Sequence, residues 1–383
     1  MTYGNRMSAR HRRPDDSDPS DPGADPTRTG PVTGPVVGPL IDPDGVVLRV
    51  GDPEHLLDGV RLEVDWMLGE QNREFGWADG RWTLALSRPA AWRIEYQLTL
   101  RRDGDTVWTP DPDNPRRVPN PFGDKSEIRF PDYREPNWLL TPADGPVTEI
   151  RTPNGRLTQP VPVKLWSPAG LPAATAAPLL LVHDGSDMAD RGHLLSWAAE
   201  HARTRPLRVA LLDPPHGLRD QWYSADPDYS AHLAEVVLPA LTSRVLTGPI
   251  VGLGASLGAL AMLTLQRRHP GSVSGLALQS GSFFTATLDP QESGYSHFDR
   301  ICAAVRQVAA GPDLSVDAPP RSVPTLITCG AIEENRFNNE AMADALRAQQ
   351  YPLTFRLVPD AHTMIGWRDA WHPALNELLR GLR

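Results

Sequence analysis

The 383-residue chain lacks several features that mark common classes of protein. It has only two cysteines, Cys302 and Cys329, which lie far apart and without metal-type spacing, so we expect reduced thiols rather than a disulfide. No apolar run reaches the roughly 18–20 residues needed to span a bilayer. No apolar segment follows the basic residues near the N-terminus, which argues against a secretory signal. The sequence therefore predicts a cytoplasmic protein with no membrane partner.

Basic surface is also scarce. The formal net charge is −9, and no stripe of lysine and arginine is visible, so we expect no nucleic-acid partner. The histidines, cysteines and carboxylates show no spacing typical of metal ligands, and we predict neither a metal nor a cofactor. Nothing in the composition predicts the oligomeric state.

Proline is abundant instead, with 40 residues or roughly twice the usual ~5%. Much of the excess lies in residues 1–43, together with Asp, Gly and Ser and almost no aromatic residues. Such a segment buries too little apolar surface to offset its ordering entropy. We predict a disordered tail over residues 1–43.

Two different patterns follow the tail. Residues 45–133 contain short runs of period-two alternation separated by turn residues, which predicts an all-β sandwich. A linker is expected at 134–146. Residues 147–383 alternate apolar strand-like runs with helical stretches, which predicts an α/β domain with a parallel sheet covered on both faces. Within it we expect single helices over 229–246, 339–349 and 368–382.

The segment Gly254-Ala255-Ser256-Leu257-Gly258 carries the strongest chemical signal. It follows a predicted strand and opens a predicted helix, the context in which a serine occupies a strained turn as an exposed nucleophile. The structural alternative is a glycine-rich turn that only packs the helix on the sheet. We predict that Ser256 is a nucleophile.

A serine hydroxyl needs a base to take its proton. His362 follows the last predicted strand and precedes the last helix, so a loop histidine there is our candidate base. The acid should follow the strand that ends near Cys329, where Glu333 and Glu334 are adjacent. We favour Glu333, with Glu334 as the alternative.

The oxyanion of a tetrahedral intermediate needs backbone N–H donors. One should be the amide of Leu257, directly after the nucleophile. We expect the second in the turn that begins at His183, with Ser186 the favoured residue.

Further segments are jointly more specific than the serine motif alone. They are Asp184-Gly185 at a strand end, Arg219 ahead of Tyr229 and of Glu235 to Pro239, the turn Gln279 to Phe284, Gly330 to Glu333, and Asp360-Ala361-His362 before Trp367-Arg368.

These segments resemble the enterochelin (enterobactin) esterases and the wider esterase-D-like hydrolases, from about Val60 to the C-terminus. The resemblance implies an α/β-hydrolase fold preceded by an immunoglobulin-like early-set domain, a module that can bind carbohydrate in related proteins. Two places depart from the family pattern. Trp222 stands where a glutamate is frequent, and Asp360 and Ala361 replace two glycines.

The resemblance implies a Ser-His-Glu esterase that hydrolyses a siderophore ester. A cationic Arg219 beside Trp222 suits an anionic, aromatic ferric catecholate through charge and stacking, although Arg219 would alternatively only brace its loop. Asp184 and Trp367 are further expected substrate contacts. The alternative functions are an esterase or acyltransferase acting on sugar or aryl acyl esters, and a non-catalytic ligand- or carbohydrate-binding protein.

Overall fold

The computed structural model describes residues 38–68, 72–120, 123–311 and 322–382. Most of the predicted tail, residues 1–37, lies outside the described residues. A short strand at Leu40–Ile41 falls inside the range assigned to the tail, because its two residues pair with Val46 and Val47. By its contacts the chain divides into two compact units, Met1–Tyr133 and Arg134–Arg383.

The first unit contains two antiparallel sheets, with strand orders β1-β2-β5-β4 and β3-β6-β9-β8, and β7 pairs with β6. Period-two burial is clear in β5, where Trp82, Leu84 and Leu86 are buried. The immunoglobulin-like assignment of this unit stays a prediction. The strands are β1 (Leu40–Ile41), β2 (Gly45–Gly51), β3 (Gly59–Glu63), β4 (Gly76–Ala78), β5 (Arg81–Ser87), β6 (Arg93–Arg102), β7 (Asp105–Thr109), β8 (Arg117–Val118) and β9 (Lys125–Arg129).

A buried ion network ties β6 to β9 in the first unit. The Arg93 side chain is fully buried and donates to Glu127 and Glu95, each at 2.6 Å. Arg129 donates to the second oxygen of Glu127 at 2.7 Å. Two guanidinium groups therefore neutralise and orient the buried Glu127 carboxylate.

The second unit contains an eight-stranded sheet with the order β10-β11-β13-β12-β14-β15-β16-β17. Among the described strands of this sheet, β11 runs antiparallel to β10 and β13 and the other pairs are parallel, so the predicted α/β class with a mostly parallel sheet is confirmed. Both faces of the sheet are covered, since alternate residues of β12 belong to two separate hydrophobic clusters. The strands are β10 (Val147–Ile150), β11 (Val163–Trp166), β12 (Ala177–His183), β13 (Arg208–Leu212), β14 (Thr247–Ala255), β15 (Gly275–Gln279), β16 (Thr325–Gly330) and β17 (Leu353–Val358).

Helices connect these strands, and several differ from the sequence prediction. The single helix expected over 229–246 ends near Thr242 and contains a π-turn at Leu233–Val237. The expected final helix, 368–382, is interrupted by a π-turn at Trp371–Leu375, where Pro373 lacks an amide donor. The α-helices are α1 (Gly185–Asp190), α2 (Leu194–Ala202), α3 (Arg219–Tyr223), α4 (Pro227–His232), α5 (Leu238–Thr242), α6 (Leu257–Arg268), α7 (Phe298–Ala309), α8 (Arg336–Ala348), α9 (Met364–Asp369) and α10 (Asn376–Gly381), with 3₁₀ turns at Asn137–Leu140 and Pro290–Glu292.

The sheet order brings the candidate residues to one edge. Strands β14, β15, β16 and β17 are consecutive and parallel, so their carboxyl ends lie side by side. Ser256, Glu333 and His362 follow β14, β16 and β17, respectively. In open α/β sheets this edge is where ligands bind.

Candidate active site

Ser256 occupies the sharp turn between β14 and α6. Its backbone has φ 55° and ψ −125°, a conformation that L residues rarely adopt. Such a turn needs small neighbours, and a Cβ at Gly254 would overlap the carbonyl group of Gly258. This is the geometry of a nucleophile elbow.

The backbone around Ser256 is held by the turn after β15. The Ser256 amide donates to the Gln279 carbonyl at 2.9 Å, and the Ser282 amide donates to the Ser256 carbonyl at 3.1 Å. The Ser256 hydroxyl lies 3.1 Å from the Ser282 hydroxyl. Among the described residues, Ser256 has this side-chain hydrogen bond and none with His362.

His362 and Glu333 form a close pair. His362 Nδ1 lies 2.5 Å from Glu333 Oε2. A carboxylate only accepts hydrogen bonds, so Nδ1 of His362 is the donor in this contact. The Glu333 side chain is 1% exposed and that of His362 26%. The structure therefore brings Glu333 to the histidine, whereas Glu334 is exposed.

The second oxygen of Glu333 is also fully engaged. Oε1 accepts the Ser280 hydroxyl at 2.6 Å, the Cys329 thiol at 3.0 Å and the Gly330 amide. Burial alone would raise the pKa of Glu333, but the charge of His362 and these donors outweigh it, so the pKa is lowered. Glu333 is thus held as a carboxylate next to the imidazole.

Trp367 lies beside the same histidine. Its ring meets that of His362 edge-on, with the centroids 5.0 Å apart. Its indole N–H donates to the Ser280 hydroxyl at 3.0 Å. Sequence reasoning noticed the turn that contains Ser280 and Ser282 but gave these serines no role. The structure connects them to Glu333 and Ser256, respectively.

The predicted oxyanion donors fare differently. Leu257 is the first residue of α6, where backbone N–H groups lack intrahelical partners. The Ser186 amide, in contrast, donates to Asp213 Oδ1 at 2.8 Å, and its hydroxyl to Asp213 Oδ2 at 2.6 Å. The prediction for Ser186 is wrong as stated, because Asp213, at the end of neighbouring β13, already takes its amide.

Arg219 makes a bidentate ion pair with Asp184. Its Nε and Nη2 lie 2.8 and 2.7 Å from the two carboxylate oxygens. Asp184 has the left-handed backbone conformation, φ 51°, at the start of α1. A cleft of about 250 Å³ adjoins both side chains. The guanidinium fork is thus used to hold the turn after β12, the alternative role that the sequence left open for Arg219.

Trp222 does not line a substrate surface. It is 2% exposed and stacks on Tyr229, with ring centroids 5.2 Å apart and an interplanar angle of 17°. The expected stacking of Trp222 on a substrate is therefore wrong, since the one-turn-and-a-half helix α3 directs this ring into the hydrophobic core.

His183 fastens the turn after β12 to the serine elbow. It is fully buried, and its Nδ1 donates to the Gly258 carbonyl at 2.9 Å. Burial lowers its pKa to about 4, so the ring is neutral at pH 7. This neutral contact positions Asp184 and Ser256 relative to each other.

The described residues contain neither a membrane-spanning helix nor a cluster of metal-ligating side chains. No helix there is both long and apolar enough to cross a membrane. No group of three or more histidine, cysteine or acidic residues there is placed to hold a metal ion.

Comparisons with known proteins give a clear result only at the level of structure. No family model matches the chain, and no curated protein sequence matches it. The ferric enterobactin esterase from Salmonella typhimurium superposes with a TM-score of 0.69 at 19% identity, covering 89% of this chain and 95% of that one.

Other solved structures agree. The enterobactin esterase from Shigella flexneri, in the presence of enterobactin, gives a TM-score of 0.67 at 18% identity over 88% of this chain and 96% of that one. A ferulic acid esterase covers only 62% of this chain, and 98% of its own, with a TM-score of 0.50 at 17% identity. Because the likeness to the first two extends over most of both chains, this chain has the fold of the enterobactin esterases.

Proposed function

We propose that the chain is a serine carboxylic ester hydrolase of the enterobactin (enterochelin) esterase family. The observation that carries the proposal is the buried Glu333–His362 hydrogen bond of 2.5 Å at the sheet edge where Ser256 occupies a strained elbow. The chain thus contains a serine, an acid and a histidine. They follow one another along the sequence in the order serine, acid, histidine.

The proposed reaction proceeds through an acyl-enzyme. Ser256 Oγ attacks the ester carbonyl while His362 Nε2 takes its proton, and Glu333 stabilises the imidazolium that forms. The Leu257 amide donates to the oxyanion. The imidazolium then protonates the leaving alcohol, and a water molecule, deprotonated by His362, releases the acid. A serine hydroxyl both donates and accepts, so Ser256 can accept from Ser282 while it donates to His362.

For the substrate we propose a siderophore-type ester. The likeness in fold to the enterobactin esterases and the sequence motifs, taken together, support this proposal. In this proposal the protein acts in the cytoplasm on a ferric catecholate ester, and the first unit is its early-set, immunoglobulin-like domain. The second candidate is hydrolysis of sugar or aryl acyl esters. It is favoured by the burial of Trp222 and the pairing of Arg219 with Asp184, which remove two expected catecholate contacts.

The first experiment tests the nucleophile. Wild-type protein should label with a fluorophosphonate and hydrolyse p-nitrophenyl butyrate. Ser256→Ala should abolish labelling and lower kcat by about 10⁴–10⁶-fold, as deletions in catalytic triads do. Ser282→Ala is the matched control, because it removes the neighbouring hydroxyl and leaves the nucleophile. Unchanged labelling of the Ser256→Ala protein would refute the proposal.

The second experiment tests the substrate class. Turnover of a catecholate trilactone, with and without iron, is compared with turnover of p-nitrophenyl and feruloyl sugar esters. The siderophore proposal expects the largest kcat/KM for the trilactone. A larger value for the feruloyl ester would favour the second candidate.

A further inference from the structure

Ser280 is a buried residue to which the proposed mechanism gives no part. It directly follows β15, and it is 1% exposed. Its backbone has φ 47°, in the left-handed region that glycine adopts without strain and other residues rarely adopt. A serine kept in this conformation beside a candidate active site suggests that its side chain is needed there.

The Ser280 hydroxyl connects two side chains of the candidate site. The Trp367 indole N–H donates to Ser280 Oγ at 3.0 Å, and Ser280 Oγ lies 2.6 Å from Glu333 Oε1. An indole N–H can only donate, and a carboxylate can only accept. The single hydroxyl proton of Ser280 is therefore directed to Glu333, while an oxygen lone pair accepts from Trp367.

These contacts close a ring of four side chains. Glu333 Oε2 lies 2.5 Å from His362 Nδ1. The His362 and Trp367 rings meet at 85°, with their centroids 5.0 Å apart. Because each oxygen of Glu333 has a partner in this ring, rotation of the carboxylate away from the imidazole would break hydrogen bonds at both ends.

Trp367 is itself held through its backbone. Gln279 Nε2 donates to the Trp367 carbonyl at 2.8 Å, and Gln279 Oε1 accepts the indole N–H of Trp371 at 2.9 Å. The two tryptophans thus donate in different directions. The Trp367 indole reaches the hydroxyl that contacts Glu333, whereas the Trp371 indole reaches only Gln279.

We propose that Ser280 and Trp367 are positioning residues for the acid, a relay in which the indole orients the Ser280 hydroxyl and the hydroxyl holds Glu333 against His362. Burial raises the pKa of Glu333, and the donors around the carboxylate, Ser280 among them, act with the charge of His362 to lower it. The relay thus favours both the orientation and the ionised state of Glu333. The inference rests on the proposed esterase function and adds the residues through which its acid is set.

The main test is the pH dependence of kcat/KM on p-nitrophenyl butyrate, whose acid limb reports protonation of the coupled Glu333–His362 pair. Ser280→Gly suits the left-handed backbone and removes a donor that favours the deprotonated pair. The acid limb should therefore move to higher pH by about one unit. The kcat should fall by about 10- to 100-fold with KM nearly unchanged, the range for a lost hydrogen bond to a charged group. An acid limb that coincides with that of wild type would overturn the proposal.

The tryptophans supply a matched pair of variants. Trp367→Phe keeps an aromatic ring but removes the indole N–H, so the acid limb should move in the same direction by less, because Ser280 keeps its bond to Glu333. Trp371→Phe also removes a buried indole donor, and its acid limb should coincide with that of wild type. In the Ser280→Gly background, Trp367→Phe should cause no further movement, since its acceptor is gone. Equal movement in the two tryptophan variants would overturn the role of Trp367.

Other ionisable groups near the pair are the same in all these variants. Burial and the charge of Glu333 raise the pKa of the Cys329 thiol, so this donor to Oε1 keeps its proton. Burial raises the pKa of Glu292, and the charge of His362 opposes that rise. Because both groups are unchanged, a difference between acid limbs is due to the relay.

A measurement without catalysis separates this inference from the proposed function. The Glu333 carboxyl carbon is followed by NMR against pH in Ser256→Ala protein, and Glu333→Gln assigns its resonance. Addition of Ser280→Gly should raise the pKa of Glu333, because one of its donors is removed. This rise supports the relay even if no ester is hydrolysed. An unchanged pKa refutes the relay even if the esterase assignment holds.

Discussion

The two units of this chain each bury a glutamate beside a nitrogen donor, and the two pairs differ in the kind of donor and in its exposure. Glu127 in the first unit and Glu333 in the second are each 1% exposed. Glu127 contacts Arg93 and Arg129, whereas Glu333 contacts His362.

The difference lies in what the cation can do. An arginine keeps its proton under all physiological conditions, so the Glu127 network has one charge state. A neutral imidazole has a second ring nitrogen that can accept a proton from a reacting group. The His362 side chain is also 26% exposed, compared with 0% for Arg93. The donor beside Glu333 is therefore reachable from solvent, whereas the Arg93 donor beside Glu127 is not.

Of the variants that test this comparison, Glu333→Gln should have the largest effect on kcat. The amide can no longer stabilise imidazolium, and it can hold the ring in the wrong tautomer, so kcat on p-nitrophenyl butyrate should fall by about 10³–10⁴-fold. Glu334→Gln should retain activity within about threefold, because this side chain is exposed. Losses in the reverse order would transfer the acid role to Glu334.

Glu127→Gln should break the other network and affect stability rather than catalysis. The amide cannot neutralise Arg93 and Arg129, although Arg93 keeps its ion pair with Glu95, so the cost should lie near the lower end of the roughly 3–5 kcal/mol typical of a broken buried ion pair. Denaturant unfolding should show this loss in the free energy of unfolding, while kcat of the folded protein stays within about threefold. A large fall in kcat with unchanged stability would contradict the distinction drawn here.

Substitution of Arg219 should have the smallest effect on activity, but it distinguishes a role in holding the loop from a role in binding substrate. Its guanidinium is held by Asp184, so Arg219→Ala should loosen the turn after β12 and lower kcat/KM by about tenfold on anionic and neutral esters alike. Arg219→Lys, a point charge without the fork, should restore only part of the activity. A rise in KM confined to the anionic ester would instead show that Arg219 binds substrate.

Local signals predicted the fold and part of the site well. The elbow lies within five consecutive residues, and strand, turn and helix all agree around Ser256. Helix α7 was not predicted, although its buried Phe298, Ile301, Cys302 and Val305 follow helical spacing.

The failures involve partners distant in sequence. The Ser186 amide is taken by Asp213, 27 residues further along the chain. The burial of Trp222 depends on its packing against Tyr229 and the core around it. Only tertiary structure decides such positions.

The tight elbow has a consequence for how this protein could diversify. A Cβ at Gly254 would overlap the Gly258 carbonyl group, and a Cβ at Gly258 would lie 3.1 Å from the Cβ of His183, which packs on the same turn. New specificities are therefore expected to arise by variation in the segment after β13, which carries Arg219, rather than by gradual change around the serine. A library for directed evolution should concentrate its diversity there and keep residues 254–258 constant.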